Sequence, residues 1–408
     1  MVSCRTYIFM NGGDRFKIKT YFKMKVLYDL QAFDMQTHGG VSRCFAELYS
    51  HRPAFVDAHI SVKETDNVYL QELGFPPKGT LYKNFLCDKD TKLKHFLFKL
   101  KYNIQYGKFS RLDKRPLINL FETESVLKKG DFDIFHPTFF DDYFLPFLGK
   151  KPFVITVHDM IPEIFSIDKH QVEQKLAIIP KATHIIAVSE RTKQDLVRIM
   201  HVPEKKVSVI YHGSDEEPYM PSTTAPIAEE YILFVGTRYE YKNFKAFCKS
   251  CVGILKRHPQ LKIVCTGVPF SPEEIQFFES LGIKDRMVHK FVQTSQELLD
   301  LYHYAFTFVY PSKYEGFGIP ILEAYKADCP VMLNRASCFP EIAGDAAVFF
   351  DLNSEKSDFE EQFETLYRLT GDERGELIQR QRERMKLYSW SKSAAQLADV
   401  YKDVLKNY

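Results

Sequence analysis

Short apolar, β-prone runs separated by helical patterns constrain this chain more than any other feature. In the first half they cover residues 25–30, 59–62, 133–136, 153–158, 184–189 and 207–212. In the second half they cover 231–236, 262–266, 287–292, 306–310, 330–333 and 347–350. Runs that are largely apolar suit strands buried on both faces, and strands alternating with helices pair in parallel through crossovers. Between the two sets lie Gly213-Ser-Asp-Glu-Glu-Pro and Pro221-Ser-Thr-Thr-Ala-Pro226, rich in turn formers and acids, which read as a linker. Two sets of about six strands predict an α/β chain with two doubly wound domains. Length agrees, because 408 residues exceed what one ordinary core accommodates.

The expected units are a first domain over 24–213, the linker over 214–228, a second domain over 229–389 and an amphipathic terminal helix over 390–408. Residues 1–23 hold only the short apolar patch Tyr7-Ile-Phe-Met10, followed by Asn-Gly-Gly-Asp. That is a poor secretory signal and reads as a dispensable extension before the strand that opens at Met24. Hydrophobic content of 45% and charge of 26% are those of a soluble globular protein, and a formal net charge of +2 excludes strong global attraction to nucleic acid. No apolar run reaches membrane-spanning length. The eight cysteines are scattered, with Cys44, Cys265 and Cys329 in apolar segments, which suits reduced core thiols in a cytosolic protein. Cys248-Lys-Ser-Cys251 has no second pair and no nearby histidine cluster, so a zinc site is not expected there.

The segments with chemical potential fall at strand ends, where ligands of open α/β sheets bind. Residues 315–323 read Glu-Gly-Phe-Gly-Ile-Pro-Ile-Leu-Glu. This places Glu315 in a glycine loop and Glu323 in the first turns of a helix that Pro320 helps to start. The amides of Gly316, Phe317, Gly318 and Ile319 then line a positive helix end suited to phosphate, flanked by carboxylates that accept bonds from hydroxyls. An acid in that turn serves equally as a simple dipole partner. After the second-domain opening strand come Arg238 and Lys242, a guanidinium fork and a mobile point charge able to neutralise a diphosphate. Without an anion, cations at a helix start oppose its dipole. His38-Gly39-Gly40-Val-Ser42 follows the first strand, its glycines permitting close approach of a ligand and Ser42 suiting a helix cap. His158-Asp159 and His136 end two further strands, where neutral imidazole could take part in proton handling. Ser189-Glu190 reads as a helix cap, and Thr266-Gly267 closes another strand.

Together these segments resemble the retaining glycosyltransferases of family four, which have the GT-B fold. Residues 315–323 match the Glu-x7-Glu motif of that family. Residues 236–244 resemble the Gly-x-Arg-x-x-Tyr-Lys-Asn-Phe pattern of one branch, while other branches place the arginine where Tyr241 stands here. Residues 340–347 resemble its Pro-Glu-x-x-Gly-Asp-Ala-Ala segment. The likeness runs from Met24 to about Trp390, is strongest over 231–350 and is poor over about 61–130.

The resemblance implies two facing Rossmann-like domains with a cleft between them and a terminal helix that crosses back to the first. A nucleotide diphosphate sugar lies on the second domain and the acceptor on the first. Arg238, Lys242 and the loop amides stabilise the departing diphosphate, Glu323 holds ribose, Glu315 holds sugar hydroxyls, and Gly39 and Gly40 face the diphosphate. Gly267 lies near the base, His158 orients the sugar, and Asp159 and His136 serve the acceptor side. Front-face attack without a metal or other cofactor is implied. Mannose from GDP-mannose is the favoured donor, with UDP-glucose and UDP-N-acetylglucosamine as alternatives, and the acceptor is a glycan or a lipid-linked molecule. A non-catalytic sugar-nucleotide sensor or scaffold is the rival class, opposed by the intact Glu315, Glu323, Arg238 and Lys242. An epimerase or phosphorylase is a weaker rival, since no phosphorylase cofactor-lysine segment is present. Cations interleaved with aromatic residues over 92–115 suit peripheral contact with an anionic membrane at its cytoplasmic inner face, while Phe96 and Phe98 are expected to pack on the first domain.

Overall fold

The computed structural model describes residues 4–9, 17–78, 96, 100, 114–214, 218–352 and 357–408, with side chains from Lys23 onward except those of 114–117. At the start, β1 (Cys4–Phe9) and β2 (Lys17–Phe22) pair antiparallel as a hairpin, and among the described residues neither joins another strand.

The first set of strands is parallel: β3 (Met24–Tyr28), β4 (Val56–Ile60), β5 (Ile134–His136), β6 (Val154–Val157), β7 (His184–Ala187) and β8 (Val207–Val209). They lie in the orders β4-β3-β5 and β6-β7-β8, and a parallel bridge from Phe135 to Phe153 joins the halves. The second set comprises β9 (Tyr231–Phe234), β10 (Lys262–Cys265), β11 (Met287–His289), β12 (Thr307–Tyr310), β13 (Val331–Asn334) and β14 (Val348–Phe350). These form one parallel sheet in the order β11-β10-β9-β12-β13-β14. In both domains the strand order reverses beside the opening strand, which creates a crevice between β3 and β5 and another between β9 and β12.

Alternation decides which core each strand residue enters. Tyr231 and Leu233 of β9 join Phe308, Tyr310, Val331 and Leu333 on one face of the second sheet. Ile232 and Phe234 join Val309 and Met332 on the other. Both faces are covered by helices, so these strands are buried throughout.

Strand bounds shift by up to three residues, and the run expected over 287–292 ends at His289. The first-domain run expected over 59–62 begins earlier, at Val56, and alternates buried and exposed. The run expected over 207–212 ends at Val209, because Gly213 and Ser214 leave the sheet to cross to the second domain. Ser214 forms a bridge with Ser389, and its amide donates to the Tyr388 carbonyl at 3.2 Å. The outward and return passages of the chain therefore run side by side.

The return passage opens the helix Trp390–Asn407, capped by the Ser389 hydroxyl. Trp390, Ala394, Leu397, Ala398, Tyr401 and Val404 share one face of it at helical spacing and all enter the first domain's core. The crossover helix thus packs as expected. Phe96 does not: it is 61% exposed, one helical turn from Leu100 at 41%, so its expected packing is corrected. Phe98 and most of the basic stretch over 92–115 lie outside the described residues. No helix among them is long and apolar enough to cross a membrane. The six cysteines with described side chains are unpaired and buried.

Candidate active site

The loop after β12 meets the loop after β9 at the second-domain crevice. Glu315 follows β12, and Lys242 closes a short 3-10 turn, Glu240–Lys242, after β9. Lys242 Nζ donates to Glu315 Oε1 at 2.6 Å, and both side chains are nearly buried, 13% and 10% exposed. The Tyr241 and Tyr310 rings each lie 5.3 Å from the ammonium. A main-chain bond from Lys313 to the Tyr241 carbonyl ties the two loops together.

The glycine loop is shaped by steric need. Gly318, at φ +96°, is the N-cap of the helix Ile319–Lys326, a left-handed conformation that side chains rarely adopt. Gly316 lies against the first domain: a Cβ there would sit 1.7 Å from the His158 carbonyl oxygen. Ser337 Oγ and Cys338 Sγ donate to the Glu315 carbonyl, and Cys338 Sγ also meets that of Phe317, which fixes the loop from behind. Phe317 is buried, and Ile319 and Glu323 are half-buried.

Across the cleft, Gly39 is the N-cap of the helix Gly40–Ser50, and a Cβ on Gly40 would lie 3.5 Å from Ile319. The expected cap, Ser42, is instead inside the helix and buried. Its amide donates to the Gln36 side chain and its hydroxyl to the Gly39 carbonyl. His158 follows β6, half-buried, with Nε2 shut off from solvent and without a hydrogen-bond partner. Burial, reinforced by the Lys175 charge, pushes its imidazole down to about 3, so it is neutral near pH 7. Its ring stacks on His212 at 5.6 Å and 16°, and His212 meets the edge of Phe317 at 5.0 Å. Asp159 shapes the turn: its carboxylate accepts from the Ile161 amide and its carbonyl from Lys175 Nζ at 2.8 Å. Lys175 also pairs with Glu163 and is 1% exposed.

The structure thus brings together Lys242 and Glu315, places Gly316 against His158, and sets Gly40 against Ile319. It does not do so for two expected residues. Arg238 donates from Nε to Glu274 Oε1 at 2.6 Å and from Nη2 to Glu274 and the Val268 and Pro269 carbonyls. With a side chain only 3% exposed and rings of Phe244 and Phe270 beside it, it braces its own loop. His136 is fully buried. Its Nδ1 bonds the Tyr401 hydroxyl at 2.5 Å and its Nε2 bonds Thr156 at 2.9 Å, so it anchors the returning helix and cannot serve an acceptor. Burial, with a smaller push from His158, lowers it to about 3. Gly267 lies exposed after β10, its carbonyl bonded by His289 at 2.9 Å.

Of the further residues at the cleft, Arg43 and Tyr302 were not singled out in the sequence, whereas Glu341 lay in the matched 340–347 segment and Ser189 read as a cap. Arg43 Nη1 reaches Glu323 Oε1 across the cleft at 3.3 Å, and the Tyr302 hydroxyl donates to Glu323 Oε2 at 3.2 Å. Arg43 stands three positions after Gly40, and that spacing was its only clue. Glu341 caps the first-domain helix Glu190–Met200 by accepting from the Glu190 and Arg191 amides at 2.7 and 3.2 Å, and Ser189 caps the same helix through Thr192. Among the described residues, Cys44, His158 and His212 offer donor atoms within 4.8 Å of one another, a set able to hold a soft divalent cation. Burial drives the Cys44 thiol up, which opposes the thiolate a metal needs.

Comparison with known proteins gives this geometry a family. Two family profiles match nearly end to end: Glycosyltransferase Family 4 over residues 99–218 and Glycosyl transferases group 1 over residues 215–384. The O-antigen chain mannosyltransferase RfbU of Salmonella typhimurium is 30% identical over 217 residues, 52% of this chain and 60% of that one. The O-antigen chain mannosyltransferase B of Escherichia coli is 26% identical over 233 residues, with the same coverage. The chain therefore spans about 60% of the length of these curated relatives. Among solved structures, Anabaena Alr3699/HepE in complex with UDP and glucose superposes with a TM-score of 0.68 at 15% identity, over 93% of this chain and all of that one. Sucrose-phosphate synthase from Thermosynechococcus elongatus gives 0.63 at 17% identity, over 95% and 100%. The chain belongs to the family-four, group 1 glycosyl transferases and has their GT-B fold.

Proposed function

We propose that the protein is a retaining, metal-independent hexosyltransferase that moves mannose from GDP-mannose to a glycan or lipid-linked acceptor in surface-polysaccharide synthesis. The names of the two O-antigen mannosyltransferases support the sugar and the setting, and the cytoplasmic face of the membrane is where such an acceptor would be met. The observation that carries the reading is the Lys242–Glu315 pair at the reversal of strand order, beside a glycine-capped helix start and against His158.

In this reading the diphosphate lies at the amides of Phe317, Gly318 and Ile319, with Lys242 beside it. Glu315 accepts bonds from sugar hydroxyls and Glu323 from those of the ribose. Neutral His158 orients the sugar, and Asp159 helps to seat the acceptor. The acceptor oxygen attacks C1 on the face that the leaving group departs from. As the C1–O bond to the diphosphate breaks, the acceptor hydroxyl gives its proton to a phosphate oxygen. The cleft excludes water and so suppresses donor hydrolysis.

A thermal-shift panel of nucleotide sugars tests the donor, because only a ligand that prefers the folded state raises the melting temperature. GDP-mannose should give the largest shift. UDP-glucose, the ligand of one structural neighbour, and UDP-N-acetylglucosamine are the competing donors. NMR of the product should show the donor's anomeric configuration retained, and excess EDTA should leave the rate unchanged.

A further inference from the structure

We propose that Arg43 is a donor-binding residue supplied by the first domain, so that the nucleotide diphosphate is gripped from both sides of the cleft. The proposal rests on the glycosyltransferase reading above and adds a residue that the motif pattern did not name. Arg238 is held by Glu274 and loop carbonyls, whereas Arg43 lines the crevice between the domains. Arg43 sits in the right place. It lies in the first turn of the helix whose Gly40 faces Ile319, the residue that opens the donor-side helix.

Its side chain stands among carboxylates at the domain boundary, with Nη1 3.3 Å from Glu323 Oε1 across the cleft and Nε 3.8 Å from Glu47 Oε1 on its own helix. Both Arg43 and Glu323 keep about a fifth of their side-chain surface exposed, 20% and 21%. Together with Ser295, Leu298, Leu322 and Ser214 they line one crevice between the domains. An apolar floor with a few convergent polar groups is what a nucleoside needs. Ribose hydroxyls bonding to Glu323 would bring the phosphates within reach of the guanidinium, whose planar fork matches phosphate oxygens.

The test is calorimetric titration of the full chain with GDP, and with UDP in parallel. Arg43→Ala should weaken binding of the preferred nucleoside diphosphate by about 10- to 100-fold, the scale of a lost charge-assisted hydrogen bond. Affinity of the variant should also fall less steeply with salt than that of the wild type. Arg43→Lys, which keeps charge but not the fork, should recover part of the loss, and near-native melting temperatures for both variants guard against misfolding. Wild-type affinity in a folded Arg43→Ala overturns the proposal alone. No nucleotide binding by the wild type overturns the functional reading beneath it, and this proposal with it.

Discussion

On the second-domain wall of the cleft, at the ends of β9 and β12, the polar groups are charged and matched: Lys242 with Glu315, Arg238 with Glu274. On the first-domain wall, at the ends of β5 and β6, they are imidazoles that burial keeps neutral: His136 and His158, with His212 stacked on His158. At these strand ends one wall presents full charges and the other neutral rings, while the first domain's cation at the cleft, Arg43, lies apart on the helix Gly40–Ser50. The contrast also runs within each wall. Arg238 and His136 are closed by their neighbours, whereas Lys242 and His158 stand where the two domains meet.

Lys242→Ala should break the charged wall most severely, cutting transfer by on the order of 10²–10³, the scale of losing a preorganised electrostatic stabiliser. Steady-state kinetics with a folded variant check this, and near-native turnover removes Lys242 from the site. Arg238→Ala should instead lower stability by about 3 kcal/mol, because it leaves the partly buried Glu274 without its partner. Denaturant unfolding reads that difference. If Arg238→Ala lost turnover at unchanged stability, the division between brace and site would fail.

On the neutral wall, His158→Ala should lower kcat by about 10- to 100-fold through lost orienting hydrogen bonds, while His136→Gln should change stability and leave the donor KM as it is. Acid provides the gentlest probe. The ordinary imidazole value is near 6.5 and the folded value of His136 is about 3, so the unfolded chain binds more protons between them. The stability this contributes is complete above pH 6.5 and is lost as pH falls toward 3, at up to about 1.4 kcal/mol per pH unit. Melting temperature against pH should therefore slope less in His136→Gln. For the same reason, titration of His158 should add no acid limb near pH 6.5 to the kcat/KM profile.

Much of this was legible from the chain alone. Uniformly apolar runs with crossover helices specify parallel sheets, and the Glu315–Glu323 spacing across a glycine loop specifies the helix start. The difference between His136 and His158 was not legible, because both end apolar strands. What separates them is the hydroxyl of Tyr401, 265 positions away on the returning helix. Arg238 misled for a similar reason: its acid, Glu274, belongs to a capping box that reads as purely local. Arg43 and Glu341 act across the domain boundary, and no periodicity within one element reports a partner in another.

The paired passages at Ser214 and Ser389 have a mechanical consequence. Two adjacent polypeptide threads behave as the spine of a book: the covers can swing about it, but shearing them past each other would tear the bridge. If the domains part to admit a substrate, a rotation about this point would carry the greatest travel to the rim farthest from the spine. A bulky acceptor should enter from that rim, and residues beside the spine should hardly shift between the open and shut forms.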